Sequence, residues 1–177
     1  MKNLAIDFNT NSEKMLNALL YILRKKPGIE LYNIMKVIFS AEKYHLNIYA
    51  RPVYGDRYEA WEYGPVPVFL RQLLKVESNM PFYKSSTHGF VATAAPNMDM
   101  FSQTDIEALD HGIAEYAELS FQEVCDKSHA ITAWKKYEKR VKAGIQHVAI
   151  DYDDLIESEQ IREYLLDLGS LTLKMVL

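Results

Sequence analysis

Apolar positions recur at helical spacing along most of this chain. Met15, Leu16, Leu19, Leu20 and Leu23 form one stripe, the pattern of an amphipathic helix. Thr10 and Glu13 stand ahead of it at capping-box spacing, and the basic residues before Pro27-Gly28 suit its end. A first helix is therefore predicted after Thr10. Leu31, Ile34, Met35, Ile38 and Phe39 predict a second, from about Leu31 to Tyr49, broken by "ARPVYGD". Arg57 to Tyr63 is dense in aromatics without a helical stripe and predicts a strand. Pro65 and Pro67 predict the first turn of a third helix, where the missing N–H groups cost nothing. Val66 precedes a proline, which makes that first turn irregular. Val66, Phe69, Leu70, Leu73 and Leu74 supply its buried face.

Phe82–Lys84 and Phe90–Thr93 predict two short strands joined through "SSTHG", which carries turn chemistry. With Arg57–Tyr63 they would make a small antiparallel sheet of unread order. From Ser102 onward the pattern is helical. Ser102/Asp105 and Ser120/Glu123 have the spacing of helix caps. Ile106, Leu109, Ile113 and Tyr116 line one stripe, and Phe121, Val124 and Cys125 the next. "AITAWKKYEKRVKAG" predicts one short helix stopping at Gly144, and "DYDDLIESEQIREYLLDLG" one or two more. The fold class expected is mainly α (α+β). It would be one compact helical domain with two or three short antiparallel strands and a C-terminal helical extension at about 151–177.

Composition narrows the function. The 177 residues suffice for one domain with a sizeable core. A net charge of −4 gives no global reason to bind nucleic acid or anionic lipid. The lone Cys125 cannot form an internal disulfide, and "MKNLAIDFNTNSEK" lacks the apolar core of a secretory signal. No stretch has the length of a membrane span. A cytoplasmic protein is expected. The basic run Lys135, Lys136, Lys139, Arg140 and Lys142 reads as the solvated face of an amphipathic helix rather than a phosphate grip.

Chemistry is sparse. Five histidines are present, at 45, 88, 111, 129 and 147, none at zinc-ligand spacing. Glu42 and His45 form one E-x-x-H pair. A di-metal bundle needs a second copy, so the pair reads as a surface or core-edge feature. Cys125 sits in an apolar stripe, as a packed thiol does. Ser128 and His129 are neighbours on a helix and point apart, so they do not form a nucleophile and base. Glu59 and Glu62 would face opposite sides of a strand. The late carboxylates Asp151, Asp153, Asp154, Glu157 and Glu159 suit a helix N-terminus. No catalytic, metal or cofactor constellation emerges.

The segment "MKVIFSAEKYHLNIYARPVYGDRYEAWEYGPVPVFLRQLL" resembles the Panacea antitoxin domain, also called SocA-like or phage-associated GepA-like. The matching positions are a helix with a lysine in its apolar stripe, then Arg51-Pro52, Gly55-Asp56, Tyr58, Ala60 and Gly64-Pro65-Val66. Ser128-His129 and Trp134 match a later pair and tryptophan. Ala50 stands where the family more often has glycine. The resemblance covers roughly residues 14–138. It implies an antitoxin, often prophage-borne and without enzymatic activity, that neutralises a cognate protein toxin encoded nearby by binding it. No membrane and no cofactor are implied, nucleic acid is disfavoured, and a homo-oligomer stays open. Alternatives are a proteolytic adaptor that delivers the toxin to a cytosolic protease, or an operon-binding regulator. The expected partner-binding residues are Asp56, Arg57, Trp61, Glu62, Tyr63, Gly64, Pro65, His129 and Trp134. Gly55, Pro65 and Pro67 would make the segment a rigid strand-to-helix corner. Tyr58 and Ala60 would face the core. Trp61 and Tyr63 share the opposite face, which suits either core packing or a partner.

Overall fold

A computed structural model of the chain describes residues 6–76, 78–87 and 89–175, so His88 lies outside the described residues. Helix α1 (Ser12–Lys25) starts one residue later than its cap was placed: Asn11, not Thr10, accepts the Lys14 N–H at 3.0 Å. Asparagine is the stronger N-cap. Thr10 is used elsewhere, its hydroxyl donating to the Gly55 carbonyl at 3.1 Å. Helix α2 (Leu31–Tyr49) has the predicted bounds and runs through the interior. It ends at Ala50 with φ +52°, where glycine is the unstrained choice.

The aromatic corner differs most from expectation. Strand β1 (Tyr58–Trp61) turns through Glu62-Tyr63 into β2 (Gly64–Pro67), its antiparallel partner in register Tyr58↔Pro67 and Trp61↔Gly64. Pro65 and Pro67 thus lie in a strand, and helix α3 (Val68–Leu73) starts only after them. Pro67 pushes the residue before it, Val66, into extended backbone, and that overrides the tolerance of both prolines for a helix start. β2 is an edge strand, where a missing N–H is harmless. Pro67 has no side-chain acceptor to cap α3, and Asp56 does so from a distance: its two oxygens accept Phe69 N–H at 2.9 Å and Leu70 N–H at 3.1 Å. Tyr63 belongs to the turn and does not share a strand face with Trp61.

Strands β3 (Phe82–Lys84) and β4 (Phe90–Ala92) pair with each other and with no other strand among the described residues, Phe90 also bridging Ile29, so the single sheet expected is two. Helices α4 (Gln103–Tyr116) and α5 (Phe121–His129) start at full capping boxes on Ser102/Asp105 and Ser120/Glu123. The next predicted helix is split at Tyr137 into α6 (Thr132–Lys135) and α7 (Glu138–Lys142). Strand β5 (Val148–Ile150) had no sequence signal. It pairs with β1 to give the order β2-β1-β5. A 3₁₀ turn at Tyr152–Leu155 leads to α8 (Glu159–Met175). The late carboxylates divide: Asp154 holds Lys136 and Tyr137, Asp153 holds Arg162, and Glu159 sits in the first turn of α8.

Eight helices and five short strands among the described residues make the chain mainly α with small antiparallel sheets. One buried cluster joins α1, α2 and α4 to β3 and β4 through residues such as Leu19, Ile34, Ile38, Leu109 and Phe90. A second joins Phe39 and Leu46 of α2 to Tyr58, Ala60, Trp134, Val148 and Tyr152. Tyr58 and Ala60 face the core as predicted. Phe121, expected in the core stripe, is 46% exposed because it occupies the first turn of α5. No helix among the described residues is long and apolar enough to cross a membrane.

Candidate partner-binding site

The β1–β2 hairpin is held from below by two ionisable residues of α2. Glu42 is fully buried, not at the surface or core edge. Its Oε2 accepts the N–H groups of Val53 at 2.7 Å and Tyr54 at 3.2 Å, and its Oε1 accepts that of Gly55 at 2.8 Å. One side chain thus satisfies three consecutive backbone donors of the loop into β1. Gly55 has φ +68°, the backbone freedom expected of it. The Tyr152 hydroxyl lies 2.8 Å from Glu42 Oε1 and 2.7 Å from the Asp56 carbonyl. A hydroxyl has one hydrogen. Both contacts are filled when Glu42 carries a proton, donates it to Tyr152, and Tyr152 donates to Asp56. Burial pushes the Glu42 carboxyl up to about 7 against the pull of these donors, in keeping with that arrangement.

His45, one turn along, is also buried. Its Nδ1 must donate to the Arg51 carbonyl at 2.8 Å, since a carbonyl only accepts, leaving Nε2 to receive Thr104 Oγ1 at 3.0 Å. Burial lowers its pKa. The E-x-x-H pair therefore shapes the end of α2 and the loop after it. Among the described residues no group of three or more His, Cys, Asp or Glu side chains could hold a metal ion.

Lys36 is the second buried ionisable residue. It is 1% exposed, and its Nζ donates to the Pro65 carbonyl at 2.7 Å. Burial pushes its ammonium down to about 7. Gly64, at φ +102°, lets the hairpin come this close: a Cβ there would lie 2.8 Å from Lys36 Nζ and 2.5 Å from Ser128 Cβ.

The third support comes from the Ser-His pair and the tryptophan after it. His129 stacks on Trp134 with centroids 4.1 Å apart, and its Nε2 donates to the Glu62 carbonyl at 2.8 Å. Trp134 Nε1 donates to the Trp61 carbonyl at 2.8 Å. Ser128 is buried against Gly64, and its hydroxyl has no partner among the described residues. Both ring nitrogens grip backbone of the hairpin tip, so the tip is rigid whatever side chains it carries.

These supports expose a distinct surface. Tyr63 of the turn, Tyr32 of α2 and Phe121 of α5 meet edge to face, at 5.9 Å for Tyr32–Tyr63, 4.8 Å for Tyr32–Phe121 and 5.3 Å for Tyr63–Phe121. Beside them a cleft of about 740 Å³ is lined by Tyr32, Lys36, Trp61, Arg71 and His147, among others. Trp61 is half-buried. Its Nε1 donates to Glu59 Oε2 at 2.8 Å, its ring meets His147 at 4.6 Å, and the Arg71 guanidinium stands 5.9 Å from it.

Comparison with protein families places a match on this region. The family model for the antitoxin SocA-like, Panacea domain covers residues 34–135. The chain belongs to this family. No curated protein and no solved structure matches it. The Panacea match contains α2 from Ile34 onward, the hairpin and Trp134, but stops before β5 and before the Tyr152 that locks Glu42. The predicted site residues fall into two groups. Trp61, Glu62, Tyr63 and His129 gather at the tip and cleft. Asp56, Gly64, Pro65 and Trp134 are buried and position it, while Arg57 is exposed at the far end of β1. Sequence reasoning missed Tyr32, Phe121, Arg71 and His147, which join the tip only in three dimensions. Lys36 had a signal, a lysine within an apolar stripe.

Proposed function

We propose that this chain neutralises a protein toxin encoded nearby by gripping it with the hairpin tip. The observation that carries the reading is the exposed ring cluster of Tyr32, Tyr63 and Phe121 on backbone fixed by Lys36, His129 and Trp134. Large aromatic side chains that are already ordered lose little entropy on docking, which is what interface anchors require. Tyr63 is 39% and Phe121 46% exposed, so each keeps area to bury. Trp61, Glu62 and His129 would border the contact, with Asp56, Gly64, Pro65 and Trp134 as its frame. The protein acts here as a cytoplasmic binding partner without catalysis.

Co-expression with the product of the neighbouring reading frame tests this. Survival should depend on the chain, and the two proteins should co-purify. Phe121→Ala with Tyr63→Ala should abolish rescue while leaving the melting temperature near wild type. Equal killing with and without soluble wild-type chain refutes the reading. Rescue accompanied by loss of the toxin would assign the protein to proteolytic delivery.

A further inference from the structure

We infer that the cleft beside the hairpin seats an acidic segment of the toxin, a carboxylate entering against Lys36 and Arg71 with an adjoining apolar side chain laid on Trp61 and Tyr32. The inference rests on the proposed neutralising role and specifies its chemistry. Charge is the first ground. The chain is acidic, with 24 Asp and Glu against 20 Lys and Arg. Most of its partly buried cations meet a carboxylate, as Lys14 does with Asp105, Lys43 with Glu157 and Arg162 with Asp153. Lys36 and Arg71 do not: among the described residues neither has an ion-pair partner. Both line the same cleft, in which Glu62 is the sole carboxylate among the lining residues.

Burial is the second ground. Lys36 has three N–H donors and one acceptor, the Pro65 carbonyl. An unpaired buried cation is costly unless an anion joins it. A carboxylate supplied by a partner would complete that pair, fill the vacant donors and hold the ammonium charged. Shape is the third ground. The cleft walls are aromatic and aliphatic, from Tyr32, Trp61 and Ile145. A carboxylate flanked by an apolar side chain matches that mixture. A nucleic-acid backbone would instead need a row of exposed cations, and here the deepest cation is almost fully covered.

The test uses overlapping peptides spanning the product of the neighbouring reading frame, each made as encoded and with Asp and Glu replaced by Asn and Gln. Binding to the full-length chain is measured by fluorescence anisotropy. At least one encoded peptide should bind wild type and lose most of its affinity in the amide version. Lys36→Met and Arg71→Glu should each weaken it by roughly 30-fold or more. Melting curves of both variants confirm folding, and Arg71→Glu, on the cleft wall, keeps the test decisive should Lys36→Met unfold. Equal binding of carboxylate and amide peptides, or unchanged affinity in folded variants, overturns the inference. So does displacement of a bound peptide by a short RNA but not by excess acidic peptide. Toxin rescue is scored in parallel. Wild-type rescue that persists in both variants sinks the cleft alone, whereas failure of wild type to rescue sinks the neutralising role itself.

Discussion

Glu42→Gln isolates the proton that the geometry assigns to the Glu42 carboxyl. Burial pushes that carboxyl up to about 7 in the folded chain, whereas an unfolded glutamate titrates near ~4.3. The folded pKa lies above the unfolded one, so the folded chain holds a proton that the unfolded chain has released across this window. The contribution to stability is complete below the unfolded value and is lost as pH rises through the folded value. With a limiting slope of ~1.4 kcal/mol per pH unit, wild type should lose roughly 2 kcal/mol from this group between about pH 5 and pH 7. Glutamine does not titrate. Its NH2 can donate to Tyr152 as the protonated carboxyl does, and its oxygen can keep the Val53 and Tyr54 donors. The Gly55 N–H is then left facing an amide donor, a cost of ~1–3 kcal/mol. Urea unfolding of both proteins at several values from about pH 5 to pH 8 reads the difference. The variant should be less stable at the acid end, with the gap narrowing or reversing toward the alkaline end. A gap that stays constant over this range refutes a protonated Glu42, and with it the hydrogen-bond relay to Asp56.

Lys36→Met should raise stability near neutral pH. The ammonium is pushed from 10.5 down to about 7, so the folded chain has released a proton the unfolded chain keeps, wild type gains stability as pH rises through that range, and the advantage of the variant over wild type should shrink by up to ~1.4 kcal/mol per pH unit. Unfolding midpoints at about pH 7 and pH 9 check it, and an advantage that does not change with pH counts against burial as the cause. Ala50→Gly should raise the melting temperature: a left-handed alanine costs ~1–2 kcal/mol and glycine returns part of that as unfolded-state entropy, leaving roughly 0.5–1 kcal/mol. Trp134→Ala, which removes a ring 1% exposed, should cost ~3–5 kcal/mol. Trp61→Ala should cost clearly less by thermal melting while impairing rescue, and equal losses of stability would place Trp61 in the core.

How much was legible follows the range of the forces involved. Helix α2 and the capping boxes at Ser102 and Ser120 rest on spacing within a few residues, and those were read correctly. Pro65 and Pro67 were misassigned because two local rules compete there. A proline tolerates a helix start, but it also extends its predecessor, and Val66 lies between two of them. The outcome was decided by β1, whose register with β2 no local pattern encodes. Strand β5 has only three residues, too few to show alternation, and follows His147 at φ +58°. The site shows the same limit. Trp61, Glu62, Tyr63 and His129 were found through motif order, while Phe121 was taken for core because its neighbours Val124 and Cys125 are core. An exposed first-turn position after a Ser120 cap was the available clue.

The two buried ionisable residues of α2 bear on the same hairpin in opposite ways. Glu42 spends its hydrogen-bonding capacity on Val53, Tyr54, Gly55 and Tyr152, and replacing it with an apolar residue would strand three backbone donors and leave Tyr152 without the donor it accepts from. That is a structural role, sufficient to account for a carboxyl in the interior. Lys36 satisfies one carbonyl and leaves donors vacant. A methionine in its place would lose one hydrogen bond and remove an unpaired ammonium, so folding alone gives little reason for the lysine. Its position explains more. It sits under the strand that carries the tip, lines the cleft, and lies in an apolar stripe where nothing else is charged until Glu42. A residue that costs stability where it stands, beside an exposed aromatic cluster, is accounted for by what arrives from outside.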